Sequence, residues 1–143
     1  MPDSPLQGYI DDELAQLNTT YVDLLLFHHR CKTGAETAAV WSAFEAAKKA
    51  GKAKHIGVSN FNTHDLALLA KTAVEPIEVL EAHFGVGLMD WEVLAYTAQH
   101  DIHPVSFSSL SESATDLPTL PPAVGKVAAA LNVTATQVFL TWA

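Results

Sequence analysis

Four short apolar runs constrain this chain more than any other feature. VDLLLF (22–27), HIGVSNF (55–61), PIEVLEAHF (76–84) and IHPVSFSSL (102–110) follow one another with a helical stretch between each pair. A strand that is apolar on both faces has no side to show to water, so both faces need cover. Strands alternating with helices give parallel neighbours joined by right-handed crossovers. The pattern predicts an α/β fold whose sheet holds four parallel strands.

The segments between them carry helical signals. DDELAQL (11–17) places Leu14 and Leu17 three apart, a short amphipathic helix after an N-terminal arm over residues 1–10. In TGAETAAVWSAFEAAKKAGK (33–52), Val40, Trp41, Phe44 and Ala47 share one helical face, two lysines occupy the last turn, and Gly51 stands where a C-terminal cap belongs. THDLALLAKTA (63–73) is a helix capped by Asn62 or Thr63, and MDWEVLAYTAQHD (89–101) one capped at Asp90. A polar, proline-bearing loop over 111–122 precedes a terminal helix pair, AVGKVAAALN and TATQVFLTWA.

With 143 residues the chain is read as one domain. Sixteen acids against eight Lys and Arg give a net charge of −8, and no window gathers enough basic residues to neutralise a row of phosphates, so nucleic acid is not an expected partner. The single cysteine, Cys31, has no internal disulfide partner, which fits a reducing compartment. The N-terminal residues lack the basic and apolar blocks of a secretory signal, and no run is long enough to span a bilayer. The expectation is a cytoplasmic protein with no membrane partner.

YVDLLLFHH, VWSAFEAAKKAGKAKHIGVSNFN, EVLEAHF, VSFSSL and LNVTATQVFLTWA, in that order and spacing, resemble the second half of an aldo-keto reductase. The resemblance implies strands four to seven of a (β/α)8 barrel of the triosephosphate-isomerase type, that is, a truncated half barrel. It also implies roles. The histidine that helps polarise the substrate carbonyl falls on His28. The serine and asparagine that hold the nicotinamide carboxamide fall on Ser59 and Asn60, and the aromatic that stacks on the nicotinamide ring falls on Phe107. A glutamine sharing the carboxamide is replaced by Val79. The family's catalytic tyrosine, lysine and aspartate precede the histidine strand, and its phosphate-gripping residues follow strand seven.

In barrels of this kind the working groups sit at the carboxyl ends of the strands. With a period of two, an inward His28 puts Leu24 and Leu26 on the inner face and Leu25 and Phe27 against helices. The expected mouth then holds His28, His29, Asn60, Glu81, His83 and Phe107. Each has a plainer reading: His29 as a loop residue, Glu81 and His83 as a pair locking strands, Ser59 and Asn60 as turn residues capping the next helix, Phe107 as core. His55, His64, His100 and His103 are read as solvated. Glu81, His83, His28 and His29 offer metal-ligand types in a weak pattern, and no metal is expected.

Three functions stay open. The leading expectation is an enzyme that lost redox chemistry and, without cofactor, uses His28 aided by His29 and Glu81 for acid/base catalysis on a carbonyl compound: cyclisation, dehydration, isomerisation or carbon–carbon bond change. Ser59, Asn60, His83 and Phe107 would line the substrate pocket, the first two and Phe107 as relics of a cofactor site. The second is an NADPH-dependent reductase whose missing residues come from a partner chain, and the third a non-catalytic binding subunit. Four strands leave an apolar face and two edges bare. A homodimer is therefore expected, either closing one eight-stranded barrel or packing two open sheets face to face.

Overall fold

The computed structural model describes residues 5–86, 89–110 and 121–143. Its elements run α1 (Pro5–Gln16), β1 (Val22–Phe27), α2 (Gly34–Lys49), β2 (Ala53–Ser59), α3 (Thr63–Ala70), β3 (Val79–His83), α4 (Trp91–Gln99), β4 (His103–Phe107), α5 (Pro122–Leu131) and α6 (Ala135–Trp142). The strands form one parallel sheet in the order β1-β2-β3-β4, the predicted α/β half barrel. The chain divides into two compact units. One comprises Met1–Glu81 with Glu92–Val105, the other Ala82–Trp91 with Ser106–Ala143.

In the first unit the two faces of the strands differ as the alternation requires. Leu25 packs against Ile10, Leu14 and Ala47 of α1 and α2. Phe27 meets Phe44 of α2 and Phe61, each with ring centroids 5.7 Å apart. Their register partners Ile56, Val58 and, on β3, Leu80 are fully buried. Leu24, on the opposite face, is 37% exposed. On that face Leu26, Gly57 and Val79 form one row of register, packed so closely that a Cβ on Gly57 would lie 2.5 Å from the Val79 carbonyl oxygen and 2.9 Å from Leu26 Cδ2.

Helix ends follow from sequence chemistry. Thr33 caps α2 and exchanges hydrogen bonds with Glu36 in a capping box. At the other end Gly51, at φ 74°, donates to Lys48 O, and Lys52 N donates to Ala47 O, the two bonds of a Schellman motif. Asn62, not Thr63, caps α3 by accepting from Asp65 N. α6 carries a second capping box, Thr134 with Gln137.

The N-terminal boundary differs from expectation. Helix α1 begins at Pro5, so most of the arm expected over 1–10 is helical. Ile10 lies four residues before Leu14 and both are buried, so the apolar stripe starts a turn earlier than the Leu14–Leu17 pair suggests; Leu17 itself is 64% exposed. The loop expected over 111–122 lies outside the described residues up to 120, and α5 starts at its last residue, Pro122, a favourable first-turn position for proline.

At the N-terminal ends of the strands, Lys48 pairs with Glu75 (3.0 Å) and with Glu78, and Glu78 also takes His55 Nδ1. His55 is exposed, in keeping with its reading as solvated, and is also partnered. Burial pushes the Glu78 carboxyl up, but hydrogen bonds from Lys48 and His55 outweigh it and hold the group below the usual carboxylate range. The hydrogen bonds to Glu78 and then Glu75 hold the Lys48 ammonium above its ordinary value. Among the described residues no single helix is long and apolar enough to cross a membrane.

Candidate active site

The register that aligns Leu26, Gly57 and Val79 also aligns the strand ends. Two residues further on, Ser59 stands opposite Glu81, and His28 follows Phe27, the partner of Val58. His28, Ser59 and Glu81 thus occupy one row at the carboxyl ends of β1, β2 and β3, where a barrel of this type places its chemistry.

Hydrogen bonds tie this row together. Asn60 Nδ2 donates to the His28 carbonyl oxygen (3.1 Å) and to Ser59 Oγ (3.0 Å). Ser59 Oγ donates to Glu81 Oε2 (3.3 Å), and Asn60 N donates to Glu81 O (3.0 Å). Asn60 adopts a left-handed backbone, φ 59°, a conformation asparagine tolerates better than most residues. That turn directs its side chain back across the strand ends toward β1. Ser59 is 1% exposed. The reading of Ser59 and Asn60 as helix-capping residues is corrected, since the cap is Asn62.

The loop after β1 is pinned at two points. Asn60 holds the His28 carbonyl, and Arg30 Nε forms an ion pair with Asp65 Oδ2 of α3 at 3.1 Å. Between them the His28 and His29 rings lie against each other, centroids 4.1 Å apart and planes at 38°, both exposed. His28, His29, Ser59, Asn60 and Glu81 therefore come together within the first unit.

His83 and Phe107 belong to the second unit. Their rings stack with centroids 5.3 Å apart and planes at 21°. Below them Ser106 Oγ donates to the Phe84 carbonyl at 2.5 Å. Glu81, expected to pair with His83, takes the Ser59 hydroxyl. Sequence reasoning missed the Asn60 tether and the Arg30–Asp65 anchor. An asparagine directly after a buried strand is a usable signal for the first; the second needs the fold. Among the described residues no group of His, Cys, Asp and Glu could hold a metal ion.

The profile of the aldo/keto reductase family matches residues 6–143. The chain belongs to the aldo/keto reductase family. It is 34% identical over 116 residues to an NADPH-dependent alpha-keto amide reductase of Saccharomyces cerevisiae, covering 77% of this chain and 37% of the relative. It is 29% identical over 136 residues to a methylglyoxal reductase, DkgB, of Escherichia coli, covering 94% and 50%. A crystal structure of an aldo/keto reductase from Brucella melitensis superposes with a TM-score of 0.88 at 28% identity, covering 96% of this chain and 51% of that one. The chain thus spans at most about half the length of these relatives.

These relatives overturn the leading expectation of an enzyme that abandoned redox chemistry. Proteins carrying the same strands are reductases, one of them named for its NADPH dependence, and nothing among them supports a lyase, isomerase or cyclase. The inference failed because it weighed the residues absent from these strands above the identity of those present. The expectation of no cofactor finds no support among these relatives.

Proposed function

We propose that this chain supplies the carbonyl-polarising and nicotinamide-binding half of an NADPH-dependent carbonyl reductase. The observation that carries this reading is the Asn60 side chain, which joins the His28 strand end to Ser59 and so sets three family-matched residues in one row. NADPH, when bound, supplies hydride to a carbonyl carbon.

The residues present suit its carboxamide. Both Asn60 N–H groups are used, on His28 O and Ser59 Oγ, which leaves Oδ1 as the acceptor for the carboxamide NH2. Ser59 Oγ, turned toward Glu81, fixes the orientation of Asn60. By the family match alone, Phe107 corresponds to the aromatic on which the nicotinamide ring stacks. His28 donates a hydrogen bond to the substrate oxygen as negative charge develops there, and the adjoining His29 ring limits its swing. The tyrosine, lysine and aspartate that the family places before this strand complete proton transfer, and they come with the other half of the barrel. A second set of strands, from another chain or segment that carries those residues, would cover the inner face where Leu24 is exposed.

The substrate class follows from two relatives. An alpha-keto amide and methylglyoxal both carry a carbonyl beside a second carbonyl, which makes the reacting carbon more electrophilic. We assign the same class, small vicinal dicarbonyls, to this site. The test is NADPH oxidation by the assembled barrel with methylglyoxal and with an alpha-keto amide. Turnover that falls by about 10²-fold or more in His28→Ala supports the reading. NADPH oxidation unchanged in His28→Ala, or absent from the assembled barrel with both substrates, would refute it.

A further inference from the structure

Outside the strand-end row, a cleft of about 500 Å³ opens between the N-terminal half of α2 and helix α3. We propose that it binds a small organic anion, a carboxylate carried on a short apolar body. All of its lining lies between residues 30 and 72, within the first unit, and it is independent of the reductase reading.

Its size falls within the range of small-molecule sites. The apolar part consists of the buried Phe61 and Leu69 and of Leu68, which is 41% exposed on the cleft wall. A leucine that open to water gains by contact with an apolar ligand.

Charge decides what the polar end must be. The chain carries twice as many acids as bases, yet three of its eight Lys and Arg, Arg30, Lys32 and Lys71, line this cleft against a single acid, Asp65. Asp65 is already taken by Arg30 at 3.1 Å. Lys32 and Lys71 are exposed and form no ion pair among the described residues. Glu36, the acid closest in sequence on α2, turns its carboxylate to Thr33 in the capping box. The cleft therefore presents two uncommitted ammonium groups beside an apolar surface, which complements a carboxylate with a hydrocarbon or aromatic body and not a cation or a sugar.

Cys31, the only cysteine in the chain, also lines the cleft and is half-buried, so it reports on occupancy. The experiment measures alkylation of Cys31 by iodoacetamide in the full chain with octanoate, with 1-octanol and with inorganic phosphate, and octanoate binding by calorimetry. Octanoate should slow alkylation saturably, and octanol and phosphate should leave it nearly unchanged. The double variant K32A/K71A alters two exposed side chains, so its fold is retained, and it should bind octanoate about tenfold more weakly. Leu68→Asp, also at an exposed position, should remove binding by a separate route. Absence of both protection and binding heat, equal protection by octanol or phosphate, or undiminished binding in K32A/K71A would each overturn the proposal.

Discussion

Asn60 reaches across the sheet to the His28 carbonyl at 3.1 Å from a left-handed backbone, so one residue both turns the chain after β2 and fixes the end of β1. The two contributions separate by substitution. Asn60→Ala loses both hydrogen bonds and adds strain at positive φ, and should cost about 1–2 kcal/mol. Asn60→Gly loses the bonds but keeps the backbone relaxed, so its loss should be smaller by about 0.5–1 kcal/mol. Urea unfolding of the two variants measures the difference; equal losses would remove backbone strain from the account.

Gly57 has no room for a side chain. The nearest obstacle is backbone, the Val79 carbonyl oxygen 2.5 Å from where a Cβ would stand, so repacking of side chains gives no relief. Gly57→Ala should push β2 from β3 and destabilise the fold by about 1–3 kcal/mol. Because Ser59 lies two residues further along the same face, its contact with Glu81 should loosen as well. Thermal unfolding checks the first effect, and hydrogen exchange at Asn60 N, which donates to Glu81 O, checks the second.

Trp41 is 1% exposed, stacks on Phe44 with centroids 6.2 Å apart, and donates its indole N–H to Glu75 O at 3.4 Å. Trp41→Ala should cost about 3–5 kcal/mol, mostly through the cavity it leaves. Trp41→Phe keeps most of the volume and should cost clearly less. Chemical denaturation of both variants tests this.

How much of this could be read in the sequence depends on the kind of information each feature carries. VDLLLF was legible as β1 to the residue, because an apolar run flanked by polar turns has few other uses. Gly51 was legible as the end of α2 because only a residue at ease with positive φ closes a Schellman motif. The Leu25 and Phe27 contacts with helices followed from period-two alternation. Asn60 was legible by family match as a site residue but not as a tether, since its reach to β1 depends on a backbone angle that sequence does not encode locally. The Lys48–Glu78–His55 group joins residues 23 or more apart, and no local pattern announces it. The non-redox reading failed for a different reason: chemistry was argued from residues outside these strands, which say nothing of what His28, Ser59 and Asn60 do.

The Lys48–Glu78–His55 group makes stability depend on pH in a stated direction. Glu78 titrates lower in the folded chain than unfolded, so its contribution is present above the ordinary glutamate pKa, near 4.5, and is lost as pH falls through the depressed folded value. Lys48 titrates higher when folded, so its contribution is present below about 10.5 and is lost as pH rises through the raised value. Unfolding free energy measured across pH should fall at both ends. Glu78→Gln should flatten the acid limb and cost on the order of 1–2 kcal/mol at neutral pH, a charged hydrogen-bond acceptor having been removed. An unchanged acid limb in that variant would exclude Glu78 as its source.

The central claim is that the row formed by His28, Ser59 and Asn60 receives a nicotinamide. It is tested most directly by titrating NADPH into the isotopically labelled protein and following its backbone amide resonances. The account predicts saturable shifts at Ser59 and Asn60, reduced about tenfold in affinity by Asn60→Ala, with the amides around Lys48 and Glu78 unmoved. Resonances of Ser59 and Asn60 that stay fixed at saturating NADPH, or an Asn60→Ala variant that binds as the parent does, would contradict it.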